Sequence, residues 1–488
     1  MTGTALKGDI ANGDTFKRRT YMIRCFLSLS CVFLGGWLLN TYMFPLFDET
    51  LTWTREISTL ANAGVLIVVA LVATWRPQAV AGRPYGIATL ICLLVGLVLL
   101  GVGIPSQSTA VVICGAVLAS IGRGSTSVIA GLACVEMKLR DLSICVAGAS
   151  LLCYALQNVF ITLPSVVGIV VFALCPFASL ALSFNYAWPL FEKARKADPP
   201  AQLAITQPSS FLPFQHQLFM CILLFRVAYG YALTLGEIDG VPLATTFALI
   251  PIIAVFCFAV ASKKQLDPDR LFQAAFLLIV TGLLLLTVSS ALGGSMVNTF
   301  VSAGVGCFEI LSWYILAALG TRNKSGAITV FSWGFALNSL GVVVGANLGR
   351  LTNINYGIAS ELTPFMVALA ILLFVAYVVV IMHGFSFAKT IEGVQPDQPP
   401  VAHTDVEALE NRCVEIGARY GLTARENEVF LLLARGRNGR FVQEELVVSY
   451  NTVKAHVKHI YAKIGIHTQQ ELIDLVENYQ PEISEKSV

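Results

Sequence analysis

"SYNTVKAHVKHIYAKIG", Ser449–Gly465, is the stretch on which the reading of this chain turns. Val453, Val457, Ile460 and Ile464 recur at helical spacing, which predicts a helix with one buried stripe. Ser449 is a suitable N-cap and Gly465 a suitable stop. The opposite face carries Tyr450, Asn451, Lys454, Ala455, Lys458 and Tyr461, and neither Asp nor Glu occurs from Ser449 to Gln470. A polar, basic helix entered at its N-terminus fits a major groove. Lys454 and Lys458, one turn apart, suit guanine edges or phosphates. Asn451 and Thr452 suit backbone phosphates, through their side chains or the helix amides.

The neighbouring sequence supplies a compact bundle around that helix. "TARE" is a capping box with Thr423 as N-cap and Glu426 reaching back. It opens a helix through "NEVFLLLARG" whose expected buried face is Val429, Leu432 and Leu433, ended by Gly436. A second short helix fits "RFVQEELV". Thr468 and Glu471 form another capping box before a last helix, "QQELIDLVEN".

These pieces, "LTARENEVFLLLARG", "VVSYNTVKAHVKHIYAKIGI" and "QQELIDLV", resemble the LuxR/GerE-type helix-turn-helix family over Gly421–Tyr479. The resemblance implies that the third helix reads DNA and the fourth dimerises. It matches Thr452, Val453, Lys454, His456 and Lys458 to the recognition pattern, and Glu426 to the family's acidic position in the first helix. One departure is the second helix. Gly439, Arg440, Phe441, Val442 and Gln443 stand where the family has Asn-Lys-Glu-Ile-Ala, so the packing of helices two and three is expected to differ. From His403 to Val488 ten Lys and Arg face thirteen Asp and Glu, a balance of −3. That predicts weak non-specific DNA binding, with specificity leaning on a homodimer reading two half-sites. The competing reading is a protein–protein module with the same pattern.

Upstream the chemistry changes. The 488-residue chain is 56% hydrophobic and 13% charged, with mean hydropathy +0.72, against roughly 25% charged in soluble domains. Apolar runs fall near residues 25–47, 57–75, 85–104, 109–135, 142–162 and 166–184, then 217–236, 243–262, 271–291, 297–320, 327–348 and 364–387. Each is near the ~20 residues needed to span a bilayer core. The expectation is an all-α chain: twelve transmembrane helices in a 6+6 arrangement, then a small four-helix cytoplasmic domain. The expected segments are an N-terminal cytoplasmic tail at 1–20, the membrane domain at 21–387, a linker with a short helix at 388–420, the DNA-binding domain at 421–480 and a C-terminal tail at 481–488.

With the N-terminus inside, the inner segments hold seventeen Lys and Arg and the outer ones only Arg55 and Arg350. The positive-inside rule then sets both termini in the cytoplasm of a bacterial cell, with the chain multi-pass in its inner membrane. The first residues, ending at Lys17, Arg18 and Arg19, show no signal-peptide pattern. The layout resembles the major facilitator superfamily. That family's Gly-x-x-x-Asp-Arg-x-Gly-Arg-type run belongs between helices two and three. Here the loop reads "WRPQAVAGRPYG", with Arg76, Gly82 and Arg83 but no Asp, and "KKQLDPDR" between helices eight and nine keeps Asp267 and Arg270. In the family this motif is linked to the transport cycle.

Three charges sit near the middle of apolar runs: Arg123, Arg226 and Glu309. A charge at the bilayer centre costs about 2.5–3.5 kcal/mol even on lenient scales, so each must pair or line a wet cavity. The reading adopted is a central cavity where Arg123 and Arg226 hold an anionic or aromatic small molecule and Glu309 balances the charge. The alternative is a buried Arg–Glu pair that only fixes packing. Tyr229, Tyr231, Trp313, Tyr314 and Trp333 are candidates to stack on a ring.

Pro396, Pro399 and Pro400 mark the linker, and Val406, Leu409, Cys413 and Ile416 form one stripe of a helix over Thr404–Tyr420. That stretch is too short for a phosphoacceptor domain. The twelve cysteines lack metal-ligand spacing and read as small core residues. No nucleophile–base pair, metal cluster or phosphate-binding loop stands out, so neither enzyme activity nor a cofactor is expected. The sequence therefore reads as a membrane-embedded one-component transcription regulator that senses a small molecule. An active transporter with an autoregulatory DNA-binding tail is the alternative.

Overall fold

Apolar runs of this length can satisfy their backbone in hydrocarbon only as helices or closed barrels, and every regular element described is helical. The computed structural model describes residues 3–48, 53–196, 217–236, 246–262, 265–287, 294–356, 362–394, 403–437, 439–446, 448–477 and 479. It divides into two compact units, Met1–Asp397 and Gln398–Val488.

The first unit holds α1 (Gly3–Leu38), extended by a π-turn at Leu39–Met43 and a short turn at Phe44–Asp48, then α2 (Thr54–Trp75), α3 (Gly82–Gly103), α4 (Thr109–Cys134), α5 (Leu139–Phe160) and α6 (Ser165–Arg195). The second set is α7 (Gln217–Gly236), α8 (Leu249–Ala261), α9 (Pro268–Leu286), α10 (Gly294–Arg322), α11 (Ala327–Tyr356) and α12 (Leu362–Ala376), which continues as a π-turn to Ile381. Among the described residues ten of these are long and apolar enough to cross a membrane; α7 and α8 are apolar but shorter. The protein is a multi-pass membrane protein. The expected N-terminal tail is largely helix, since α1 starts at Gly3, and α6 runs on to Arg195 rather than ending near 184. Lys263, Lys264, most of the connection after α6 and the prolines at 396, 399 and 400 lie outside the described residues.

Helices in lipid associate where small residues let backbones meet. Gly341, Gly345 and Gly349 repeat every fourth residue on α11, and α7 packs against them. A Cβ on Gly345 would stand 2.1 Å from the Val227 carbonyl oxygen and one on Gly341 2.4 Å from that of Leu223. Gly345→Leu is therefore expected to separate α7 from α11 and to cut the yield of folded protein in size-exclusion chromatography.

The two halves are tied along α2 and α11. Arg350 stands 2.9 Å from Glu56, whose side chain is 4% exposed. Asn62 donates to Ser339 at 3.4 Å, and Thr74 and Thr329 lie 3.4 Å apart. Arg350 also stacks over Trp53 and Arg55 over Phe44, so both basic residues of the expected outer face are engaged locally. Arg350→Ala strands the Glu56 carboxylate in the interior, at a cost of roughly 3 kcal/mol. Its melting temperature should fall well below that of the Glu56→Leu/Arg350→Leu double variant, which strands no charge.

The residues resembling the transport motif do structural work. Arg83 stacks on Trp188 of α6 at 5.1 Å. Asp267 caps α9, accepting the amides of Asp269 and Arg270, and pairs with Arg270 at 3.1 Å. Asp269 accepts from the Ser386 hydroxyl at 2.6 Å and the Phe387 amide at 2.7 Å. It thereby fixes the start of a short helix, α13 (Phe387–Gly393), whose Phe387 and Ile391 are buried. The chain that leaves the membrane unit is thus rooted on α9 and α10 of the second half.

The second unit comprises α14 (His403–Arg419), α15 (Ala424–Ala434), α16 (Gly439–Glu445), α17 (Tyr450–Ile464) and α18 (Gln469–Glu477). α14, read from sequence as part of the linker, packs into this unit's core through Cys413 and Ile416. Arg412 donates to the Val476 carbonyl at 3.3 Å and Arg435 pairs with Glu410. Gly417 lies so close to Asn427 that a Cβ would meet its amide oxygen at 2.3 Å. Leu409 packs at the margin of this core, and the side chain of Val406 lies outside the described residues. The apolar stripe sought a core, and the nearest one is the helix-turn-helix domain.

Candidate functional site

Arg123 on α4, Arg226 on α7 and Glu309 on α10 come from three separate helices and line one cavity of about 200 Å³. Arg226 is 8% exposed, and its Nε has no hydrogen-bond partner. Its guanidinium lies over the Tyr229 ring at 5.7 Å, as that of Arg123 lies over Phe172 at 5.3 Å. None of the three charges forms an ion pair among the described residues. Glu309 nonetheless feels the charge of Arg226, the pairing on which the packing-only alternative rests.

Asn62 crosses the cavity wall from α2, and Gly124 makes room for it: a Cβ there would lie 1.9 Å from the amide oxygen. Gly122 serves differently, passing Leu93 of α3. Of the aromatic candidates, Trp313 lines the cavity and Tyr229 underlies Arg226. Tyr231, Tyr314 and Trp333 are buried in helix packing. Sequence reasoning missed Phe335, which faces Trp313 with ring centroids 4.7 Å apart. It also missed Asn62 and Asn338, although an amide inside an apolar run is itself a signal.

In the second unit the expected recognition helix is α17. Ser449 accepts the Thr452 amide at 3.1 Å, and Gly465 closes the helix at φ +82°. Val453, Ile460 and Ile464 are buried and Val457 packs beside them. Asn451, Thr452, Lys454, Ala455 and Lys458 are exposed and His456 is half-buried; the Tyr450 side chain lies outside the described residues. The face is presented by its neighbours. Thr423 and Glu426 form the expected capping box, and the same Glu426 carboxylate accepts from Lys463 of α17 at 2.6 Å. Lys463 also donates to the Gly421 carbonyl at 2.9 Å.

Two expectations need correction. Phe430, not Leu432, completes the buried face of α15 with Val429 and Leu433; Leu432 is only half-buried. A helix that buries Glu426 and Val429 turns Phe430 inward at i+4. At the second capping box Thr468 accepts the Glu471 amide at 3.2 Å, but the Glu471 carboxylate takes the His467 amide at 2.8 Å. In α16 Val442 is the fully buried residue, while Phe441 lies half-buried beneath Arg437 at 4.8 Å.

The Lys463 ammonium, then the Thr423 amide, hold the Glu426 carboxyl down at about 2, against about 4.5 for an ordinary glutamate. A carboxylate with a depressed folded-state pKa contributes stability above the ordinary value and loses it as pH falls. Acid is therefore expected to loosen α15 from α17 between pH 4.5 and 2. Glu426→Gln should lower stability at pH 7 by roughly 2 kcal/mol, the scale of a lost cap and ion pair, and flatten that acid limb. Hydrogen exchange of the α15 amides checks both. Burial pushes the Cys413 thiol up to about 11, so the lone cysteine of this unit acts as a core residue.

Residues 421–476 match the model of the family "Bacterial regulatory proteins, luxR family". The Fimbriae Z protein of Salmonella typhimurium is 36% identical over 59 residues, which are 12% of this chain and 28% of that protein. The oxygen regulatory protein NreC of Staphylococcus aureus is 40% identical over 53 residues, 11% of this chain and 24% of that one. The chain thus spans about a quarter of the length of these curated relatives. The membrane unit is similar in fold to the human organic anion transporter MFSD10 (TETRAN), with TM-score 0.51 and 16% identity, covering 73% of this chain and 99% of that one. One chain therefore joins a LuxR-family DNA-binding domain at residues 421–476 to a membrane unit with a major-facilitator-like fold.

Proposed function

We propose that the protein is a membrane-embedded one-component transcription regulator, not an enzyme, which senses a small molecule in its central cavity. The observation that carries this reading is a DNA-binding domain in the same chain as a cavity lined by three ionisable residues that form no ion pair among the described residues. Buried charge inside a membrane bundle is a functional site by default. Arg123 and Arg226 bind the anionic end of the ligand through their planar forks, and Glu309 sets the charge balance. Lys and Arg placement supports termini on the cytoplasmic side, with the chain in the inner membrane of a bacterial cell. Two copies meet DNA as a homodimer, with Asn451, Thr452, Lys454, Ala455, His456 and Lys458 of α17 against the duplex.

Ligand can shift a conformational equilibrium only by binding one state more tightly. Because Asp269 roots α13 on α9 and Arg322 of α10 donates to the Glu392 carbonyl, a movement of the second half reaches the first residues of the linker. The tail acts while tethered. A soluble tail fragment appearing in induced cells would refute tethering. The reading is tested against the transporter alternative in sealed vesicles. Uptake of a labelled organic acid that is lost in Arg123→Ala would favour a working transporter, whereas binding without accumulation favours a receptor.

A further inference from the structure

We propose that the ligand of the central cavity is a compact aromatic monocarboxylate, carried as a single negative charge; this rests on the ligand-sensing reading above. The inference follows from charge, shape and volume. At their ordinary charges, Arg123 and Arg226 bring two positive charges to the wall and Glu309 one negative charge. Cys31 is the remaining ionisable side chain there, and an ordinary thiol is neutral at pH 7. A net charge of +1 is costly within a bilayer, and a bound monoanion cancels it. A zwitterion leaves it standing, a dianion overshoots to −1, and a cation raises it to +2.

The rest of the wall selects the body of the ligand. Trp313 and Phe335 meet at 49° with centroids 4.7 Å apart, giving apolar ring surface beside the charged groups. The guanidiniums lie over Phe172 and Tyr229, and the Nε of Arg226 has no hydrogen-bond partner, so donors remain for a carboxylate. A volume near 200 Å³ is enough for one small ring and its carboxylate.

The test uses the full-length protein in lipid nanodiscs and ring-matched probes read by thermal shift and titration: benzoate, isophthalate, phenylalanine and benzylamine. Cyclohexanecarboxylate serves as the unflattened control. The expected result is that benzoate binds at least about tenfold more tightly than each of the others. Glu309→Gln raises the cavity to +2 and should reverse the order of benzoate and isophthalate. Preference for phenylalanine, benzylamine or isophthalate by the wild type, or equal binding of cyclohexanecarboxylate, would overturn the assignment while leaving a ligand site intact. An unchanged order in Glu309→Gln, with wild-type binding retained, would equally overturn the charge argument. Binding of no probe at all sinks this assignment together with the anion-sensing reading on which it rests.

Discussion

Lys454→Ala/Lys458→Ala removes promoter occupancy while leaving the protein folded and in the membrane. Both lysines are exposed on α17, one turn apart, and neither belongs to the core formed by Val453, Ile460 and Ile464. Each contact to a base edge or phosphate is worth about 1–3 kcal/mol, so the pair should cost on the order of a hundredfold in affinity or more. Losing two phosphate-directed charges also lowers the salt slope of binding by roughly two. The domain has little charge in reserve, because Lys463 is held by Glu426 and the Gly421 carbonyl. Footprinting of a bound promoter at several salt concentrations measures both quantities. Unchanged affinity and slope would mean that α17 is not the helix in the groove.

Arg226→Ala has the second large expected effect, and on the other end of the chain. Arg226 is the most enclosed of the three cavity charges, and it lies beside α11, whose Gly341 passes its Cβ. Truncating one member of a buried charge system costs about 2–5 kcal/mol in binding, or at least about thirtyfold. DNA binding should persist in this variant but stop responding to small acids. Arg123→Ala should do the same, with a smaller penalty to folding because Arg123 is less enclosed. A reporter that still responds in both variants would place the sensor elsewhere.

Much of this was legible in sequence for a local reason. Capping boxes, left-handed glycines and an unbroken run without acids are short-range signals, so α15, α17 and the end of α17 at Gly465 could be placed one by one. The charges in apolar runs were legible for a different reason: water-free surroundings make them conspicuous wherever they fall. What escaped were pairings between residues far apart in the chain. Asn62 meets Ser339 and Glu56 meets Arg350 only once α2 and α11 are packed. Asp269, an unremarked neighbour of a decayed motif, gains its role only when α13 returns to it. The stripe on α14 was read correctly as apolar but assigned to the linker, because periodicity tells which face is buried and not against what.

The link between cavity and DNA is the central claim, and chromatin capture with the intact tagged protein addresses it most directly. Cells would carry wild type, Lys454→Ala/Lys458→Ala or Arg123→Ala/Arg226→Ala, each grown with and without a panel of aromatic monocarboxylates. The expected result is a set of discrete sites absent from the lysine variant. Their occupancy should change with an added acid in wild type and stay fixed in the arginine variant. Discrete sites with the same occupancy in every medium, in wild type and arginine variant alike, would contradict the account and leave the membrane unit without a part in regulation.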